Sequence, residues 1–301
     1  MGTHYIGIDI GGTAIKAALT DDFGVVLESI KTPTPADNLQ GLIATISSLV
    51  ANLQRKASVG GVGVGIAGLL NAGTRVIETS PNIPVIHRLN LEKQLREALS
   101  LHVVTENDAK AGAYGEWTAG AGKGLQHMAY ITVGTGLGCG LILGGQMFRG
   151  ASGYAGELGH TVIEPGGRLC ACGSQGCLET RVSATGIVQT ARESNGGGAN
   201  PSAEALYDSA MQGDSAAKAI FEETGRYLGM ACANLINLLN LEAIVVGGGV
   251  MASGDLLLGA ARAEAQRRAF APSAHDCPIV QSQLWPDAGT IGAAMLARDT
   301  A

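Results

Sequence analysis

The chain has 301 residues, a formal net charge of −6, 45 glycines and six cysteines, with only 4% aromatic residues. Its acidic balance and lack of a Lys/Arg cluster exclude nucleic acid and anionic membrane as default partners, and no apolar run reaches the roughly 20 residues of a membrane span. The opening "MGTHYIGIDIGG" lacks a signal-peptide pattern, so a cytoplasmic protein with reduced thiols is expected.

In chain order, "YIGIDIGGTAIKAALT" reads as strand, Gly-Gly turn, strand, and "GVVLESIKTPTP" as a further strand. Leu39, Leu42, Ile43, Ile46, Leu49, Val50 and Leu53 fall at helical spacing. "VGGVGVGIAGLL" is another strand, followed by turns and loops through "NAGTRVIETSPNIP". Leu91, Leu95 and Leu99 mark a helix that Asn90 can cap. "LHVVTEND" is a strand ending in polar residues, with a helix-like stretch behind it. The opening pattern then returns in "MAYITVGTGLGCGLIL", an internal repeat of a glycine-turned hairpin. The cysteine stretch follows, then a glycine-rich loop over 196–201. A long helix is expected over 216–240, with Ile220, Leu228, Leu235, Leu238 and Leu239 on its apolar face. "LEAIVVGGGVM" is a buried strand, and helical segments near 255–269 and 289–297 finish the chain. This order argues for two α/β domains of shared architecture, residues 1–117 together with a returning C-terminal helix at about 288–301, and residues 118–287.

Three apolar strands run into glycine clusters: Gly11-Gly12-Thr13, Gly134-Thr135-Gly136 and Gly247-Gly248-Gly249. Such turns can simply make hairpins. They can also offer backbone N–H groups to phosphate, since no Cβ keeps the anion away. Three in one chain, two with threonine and one just after Asp9, favour phosphate binding. A carboxylate at a strand end can also hold Mg²⁺ through water. Gly63, Gly65 and Gly68 match the dinucleotide pattern G-x-G-x-x-G, but that motif must open a helix and a turn follows here. Lys16, one strand beyond the first turn, is as readily solvated as phosphate-bound.

His160, Cys170, Cys172 and Cys177 have the spacing H-x9-C-x-C-x4-C. Reduced core thiols and a redox pair are the alternatives. A C-x-C disulfide closes a strained ring, however, and leaves Cys177 over. Three thiolates and one imidazole suit a structural zinc, with Gly173 and Gly176 letting the chain fold back. Glu157 and Glu179 flank the cluster, and a metal clipping the loop fixes both carboxylates as hydrogen-bond acceptors. Cys139, Cys232 and Cys277, in apolar or small-residue surroundings, read as ordinary side chains. Asn107 and Asp108 stand where a strand meets a helix, so either can cap it.

Together these stretches resemble the ROK family, the sugar kinases and sugar-responsive repressors related to hexokinase and actin. "IGIDIGGTAIKAAL" is similar to the first phosphate loop, "ITVGTGLGCGLIL" to the second and "IVVGGGV" to the adenosine loop. "TENDAKAGAYGE" resembles the catalytic segment, and "GELGH" and "CACGSQGCLE" the sugar and zinc motifs. The matches follow the family's order over nearly the whole chain. The resemblance implies an α/β two-domain actin/hexokinase-like (ribonuclease H-like) fold with an interdomain cleft, and a last helix packed on the first domain. It implies ATP with Mg²⁺, a structural Zn²⁺ and a homodimer. It assigns Asp108 as general base, and Asn107, Glu157, His160 and Glu179 to the sugar. Gly68 in "GIAG" and Asn82 in "SPNIP" are carried over as further sugar contacts, though each can equally be a turn residue. The expected activity is a hexose kinase, glucose first, with N-acetylmannosamine, N-acetylglucosamine, fructose or allose as rival substrates and polyphosphate as a rival donor. The repressors of the family carry a helix-turn-helix ahead of the first loop. Here the first strand begins by about Tyr5, and the charge disfavours DNA.

Overall fold

A computed structural model describes residues 3–194 and 201–301; of the glycine-rich loop expected over 196–201, all but Pro201 lies outside the described residues. The chain opens with strands β1 (His4–Ile10), β2 (Ala14–Thr20) and β3 (Val26–Pro33), helix α1 (Leu39–Gln54) and strand β4 (Val59–Ile66). Short strands β5 (Leu69–Leu70) and β6 (Ile77–Thr79) precede α2 (Leu91–Leu99), β7 (Val103–Asn107) and α3 (Asp108–Ala119). The second hairpin is β8 (Met128–Val133) and β9 (Leu137–Ile142). Then come α4 (Ala184–Ser194), α5 (Ala203–Met211), α6 (Ser215–Leu239) and β10 (Ala243–Gly247). The chain ends with α7 (Gly254–Arg268), α8 (Ala271–Asp276), β11 (Ile279–Gln281) and α9 (Ala288–Thr300). No helix among the described residues is long and apolar enough to cross a membrane.

The chain divides into two compact α/β units: Met1–Gly124, Gly140–Gly156 and Gln283–Ala301 form the first, Leu125–Cys139 and Glu157–Ser282 the second. The first unit holds a five-stranded sheet in the order β3-β2-β1-β4-β7, antiparallel from β3 to β1 and parallel from β1 to β7. Because strand side chains alternate, β1 sends Ile6, Ile8 and Ile10 to one face and Tyr5, Gly7 and Asp9 to the other. The isoleucines join Leu42, Ile46, Leu49 and Leu53 of α1 in the main core. Each such side chain contributes about 1.5–3 kcal/mol on burial. Asn38 caps α1, accepting from the Gly41 amide, and Asn90 caps α2, accepting from Lys93. The opposite face carries α9, with Tyr5, Ile291, Ala294, Met295 and Ala297 in a second cluster. Here glycine sets the approach: a Cβ on Gly7 would strike the Thr290 carbonyl, and one on Gly63 the Ala293 carbonyl. The G-x-G-x-x-G stretch therefore makes a sheet–helix contact and opens no helix of its own.

The second unit is built on a sheet in the order β11-β10-β8-β9, with β10 parallel to both β8 and β11. The 25-residue α6 is capped by Asp214 and packs on α7 where a Cβ on Gly225 or Gly229 would meet α7 carbonyl oxygens. Ile220, Leu228 and Leu235 of its predicted apolar face are buried, but Leu238 is 80% exposed. It lies in the last turn, past the end of the buried stripe. Helices α4, α5 and α8 and strand β11 were not legible from periodicity, and the stretch read as turns and loops holds the β5–β6 pair.

Candidate active site and cysteine cluster

In the first unit, Asp9 lies near the C-terminal end of the central strand β1, which turns through Gly11, Gly12 and Thr13. The turn is closed by the Gly11 amide donating to Ala14 O at 3.0 Å and by Thr34 Oγ1 donating to Gly11 O at 2.7 Å. A Cβ on Gly12 would lie 2.7 Å from Asn82 Cβ, so the bare backbone at Gly12 makes room for that asparagine.

Beside them, β7 passes into α3 at Asn107–Asp108. Asn107 is the helix cap: its Oδ1 accepts from the Lys110 amide at 3.1 Å. Its Nδ2 donates to Gly68 O and to Asp108 Oδ1, both at 3.1 Å. Asp108 Oδ1 also accepts from the Ala109 amide at 2.9 Å. Gly68 has φ +153°, and a Cβ there would meet the Thr79 carbonyl. Capping thus falls to Asn107, and Asp108 keeps its second carboxylate oxygen for other work. Gly289, at the start of α9, brings bare backbone against Asp9, and a Cβ there would lie 3.3 Å from Asp9 Oδ2.

The two carboxylates feel each other. Burial, then the charge of Asp108, pushes Asp9 up to about 7, with Lys16 opposing. Burial also raises Asp108, against the pull of its amide bonds and of Lys110. An acidic pair in a low-dielectric corner favours a proton or a cation between them. Lys16 itself is ion-paired with Asp287.

In the second unit, the turns 134–136 and 247–249 leave the same end of neighbouring parallel strands, Gly247 pairing with Thr132. This is where open α/β sheets bind ligands. Gly248 has φ +93°, and a Cβ there would lie 2.5 Å from Val133 N; Gly249 has no described neighbour within 4 Å of that position. The second turn is braced by Ala184 N donating to Gly134 O (2.8 Å) and Thr185 Oγ1 donating to Thr135 O (3.1 Å). Glu179 reaches the same turn. Its Oε2 accepts from the Leu137 amide at 2.8 Å and lies where a Cβ of Gly136 would be.

His160, Cys170, Cys172 and Cys177 converge, with all ligand atoms within 4.8 Å of one another. Cys170 Sγ lies 3.6 Å from His160 Nδ1, and Cys172 Sγ lies 3.6 Å from Cys177 Sγ. No cysteine forms a disulfide. Gly173 (φ +91°) and Gly176 (φ +74°) turn the loop back on itself, and a Cβ on Gly176 would strike the Glu164 carbonyl. Burial raises the Cys170 thiol and pushes Cys177 up to about 11, while the Ser174 amide lowers Cys172. Three thiols packed this closely, Cys170 and Cys177 buried and Cys172 exposed, call for a metal that deprotonates them. Three sulfurs and one imidazole nitrogen form a closed, zinc-type donor set. Glu157 and Glu179 each sit at or in a short 3₁₀ turn, the first ending at His160 and the second following Cys177. Cys139, Cys232 and Cys277 are buried elsewhere in the unit.

The structure thus gathers Asp9, Gly12, Gly68, Asn82, Asn107 and Asp108 in one unit. In the other it gathers the four metal donors, and joins Glu179 to the second turn. Three buried charged residues near these sites, Glu106, Lys110 and Glu116, were missed in the sequence, which carries no mark of burial for a charged side chain.

The model of the ROK family matches residues 5–300. The chain belongs to the ROK family. It is 36% identical over 310 residues to a glucokinase of Streptomyces coelicolor, covering 98% of this chain and 97% of that protein. It is 34% identical over 295 residues to an N-acetylmannosamine kinase of Escherichia coli, covering 97% and 98%. A crystal structure of a ROK family glucokinase from Streptomyces griseus in complex with glucose and AMPPNP aligns with a TM-score of 0.87 and 35% identity, covering 98% of this chain and 99% of that one. The chain is accordingly a glucokinase-like ROK sugar kinase with the family's two-domain hexokinase-like fold.

Proposed function

We propose that this ROK kinase is an ATP-dependent glucokinase that transfers the γ-phosphoryl group to the sugar 6-hydroxyl, with Asp108 as general base. The observation that carries this reading is the state of Asp108: a carboxylate at a helix start, oriented by Asn107, with its proton affinity raised by burial. A base in that state can take the hydroxyl proton as the oxygen attacks phosphorus. Asn107, Gly68 and Asn82 are proposed sugar contacts on the same unit. Glu157, His160 and Glu179 are proposed to bind hydroxyls from the zinc-type loop. The glycine turns at 11–13, 134–136 and 247–249 are proposed to take the nucleotide through backbone N–H groups, with Asp9 holding the water shell of Mg²⁺. A zinc ion bound by four protein donors would brace the loop that carries the sugar ligands. With no open position, it would take no part in the transfer.

N-acetylmannosamine is the second reading, favoured by the comparable identity to the Escherichia coli kinase. A panel of hexoses and N-acetylhexosamines assayed with ATP decides between them. In the same assay Asp108→Ala should lose about 10²- to 10⁴-fold in kcat with little change in the KM for ATP. Near-normal turnover by that variant would overturn the assignment.

A further inference from the structure

The stretch Glu106-Asn107-Asp108-Ala109-Lys110 places the two polar residues of the corner between two buried charges. Glu106 is 3% exposed and Lys110 is 2% exposed. Burying a carboxylate or an ammonium is costly unless it is paired and hydrogen-bonded, so each position needs a reason. Both side chains reach the same segment of the first unit. Glu106 Oε2 accepts from Arg149 Nε at 2.7 Å, while its Oε1 accepts from the Asn107 amide at 3.0 Å. Lys110 Nζ donates to the Gly153 carbonyl at 2.7 Å.

That segment, 149–156, has no helix or strand of its own and contains three glycines at positive φ, Gly150, Gly153 and Gly156. One internal bond closes it, Ala155 N donating to Arg149 O at 3.1 Å, and further contacts come from outside it. The Ala72 amide donates to Ser152 O at 3.0 Å, and Asn71 Nδ2 donates to Tyr154 Oη at 3.1 Å. A Cβ on Gly153 would lie 2.7 Å from Ala72 N. The strap ends at Gly156, one residue before Glu157.

We propose that Glu106 and Lys110 are positioning residues, which from either side of Asn107–Asp108 tie the strand–helix corner to the strap 149–156 and so hold Asn107 and Asp108 in place for the sugar. This rests on the roles proposed above for Asn107 and Asp108. One bond of Glu106 orients the Asn107 backbone while the other holds Arg149, so a single side chain serves both the corner and the strap.

The test uses the full-length protein with glucose and ATP. Lys110→Met keeps the chain length and removes the ammonium. Amide hydrogen exchange over 147–156 should quicken by about tenfold or more, with exchange in α1 unchanged. The kcat/KM for sugar should fall by about 10- to 100-fold, since small misplacements cost that much, and most of the loss should be in sugar KM while the KM for ATP stays within about twofold. Should Lys110→Met fail to fold, Arg149→Gln reads the Glu106 tie on the same peptides, and Arg149→Lys should restore part of the loss. Unchanged exchange in the strap overturns the proposal, as does an equal loss for both substrates. Asp108→Ala separates the two readings. If it is inactive and Lys110→Met behaves as wild type, only the strap inference fails. If Asp108→Ala keeps its turnover, the base assignment fails, and the exchange measurement still decides whether the strap is pinned.

Discussion

A single methyl group at Gly63 should destabilise the first unit strongly. Gly63 lies in β4 beneath α9, and its Cβ would overlap the Ala293 carbonyl oxygen and lie 3.1 Å from Ala293 Cα. Those are backbone atoms in the middle of a helix, so no side-chain rotation relieves the clash, and the helix or the strand must move. Moving α9 disturbs Gly7 under Thr290 and the contacts of Gly115 and Gly292 between α3 and α9, where an added Cβ would likewise lie within 2.5 Å of a carbonyl oxygen. Overpacking a core typically costs about 1–3 kcal/mol; with only backbone to yield, Gly63→Ala belongs near the top of that range. For a domain of roughly 150–250 residues each kcal/mol lowers Tm by about 2–4 °C, which gives a drop of about 6–12 °C. Calorimetry of the sugar- and nucleotide-free protein measures it. Gly259→Ala on α7 is the control, because no described atom lies within 4 Å of its Cβ position and alanine is favoured over glycine in a helix by up to about 1 kcal/mol. A Gly63→Ala protein that melts with the wild type, or above it, would refute the view that glycine is there for the approach of α9.

Asp9 makes stability depend on pH. Its folded-state pKa is raised from 3.8 to about 7, so between those values the folded chain holds a proton that the unfolded chain has lost, and stability falls as pH rises through the window by up to about 4 kcal/mol. Asp9→Asn should flatten urea midpoints of the nucleotide-free protein between about pH 4 and 7 and raise them at pH 8; superimposable curves for the two proteins count against the buried acid pair. Removing the metal by chelation, or one donor by Cys172→Ser, should abolish bound zinc, lower the melting temperature of the second unit and raise sugar KM by about 10-fold or more, leaving the KM for ATP nearly unchanged. Full stability and activity in protein verified as metal-free would show that the cluster braces nothing.

Elements whose own residues carry the pattern were legible. The apolar positions from Leu39 to Leu53 define α1, and Asn90 caps α2 as expected. The spacing of one histidine and three cysteines foretold a cluster that the fold closes to within 4.8 Å. Elements stabilised by distant partners were not legible. Strand β11 has three residues and α8 has six, too few to show a period, and both depend on tertiary packing. The buried charges are the sharper case. Glu116 is fully buried because Ala121 N (2.8 Å) and Leu284 N (2.9 Å) donate to its carboxylate, and one of those donors stands 168 residues away. No local pattern can announce that. Leu238 failed in the opposite sense: its spacing was right, but no element among the described residues covers it.

At the glycine turns the structure shows a reason for glycine that the sequence does not. Glycine was read there as bare backbone able to approach a phosphate, or as freedom to turn. None of Gly11, Gly12, Gly134 and Gly136 has a positive φ, so conformation alone does not require glycine at those positions. At Gly12 the missing Cβ is filled by Asn82, at Gly136 by the Glu179 carboxylate, and at Gly289, on α9, by Asp9. Each of these partners is a polar residue singled out for the sugar or the metal-bearing nucleotide. The glycines therefore hold places open for these side chains. An alanine at Gly12 or Gly136 would displace Asn82 or Glu179 even with no phosphate bound, so on the proposed roles such a variant should disturb sugar and nucleotide binding together.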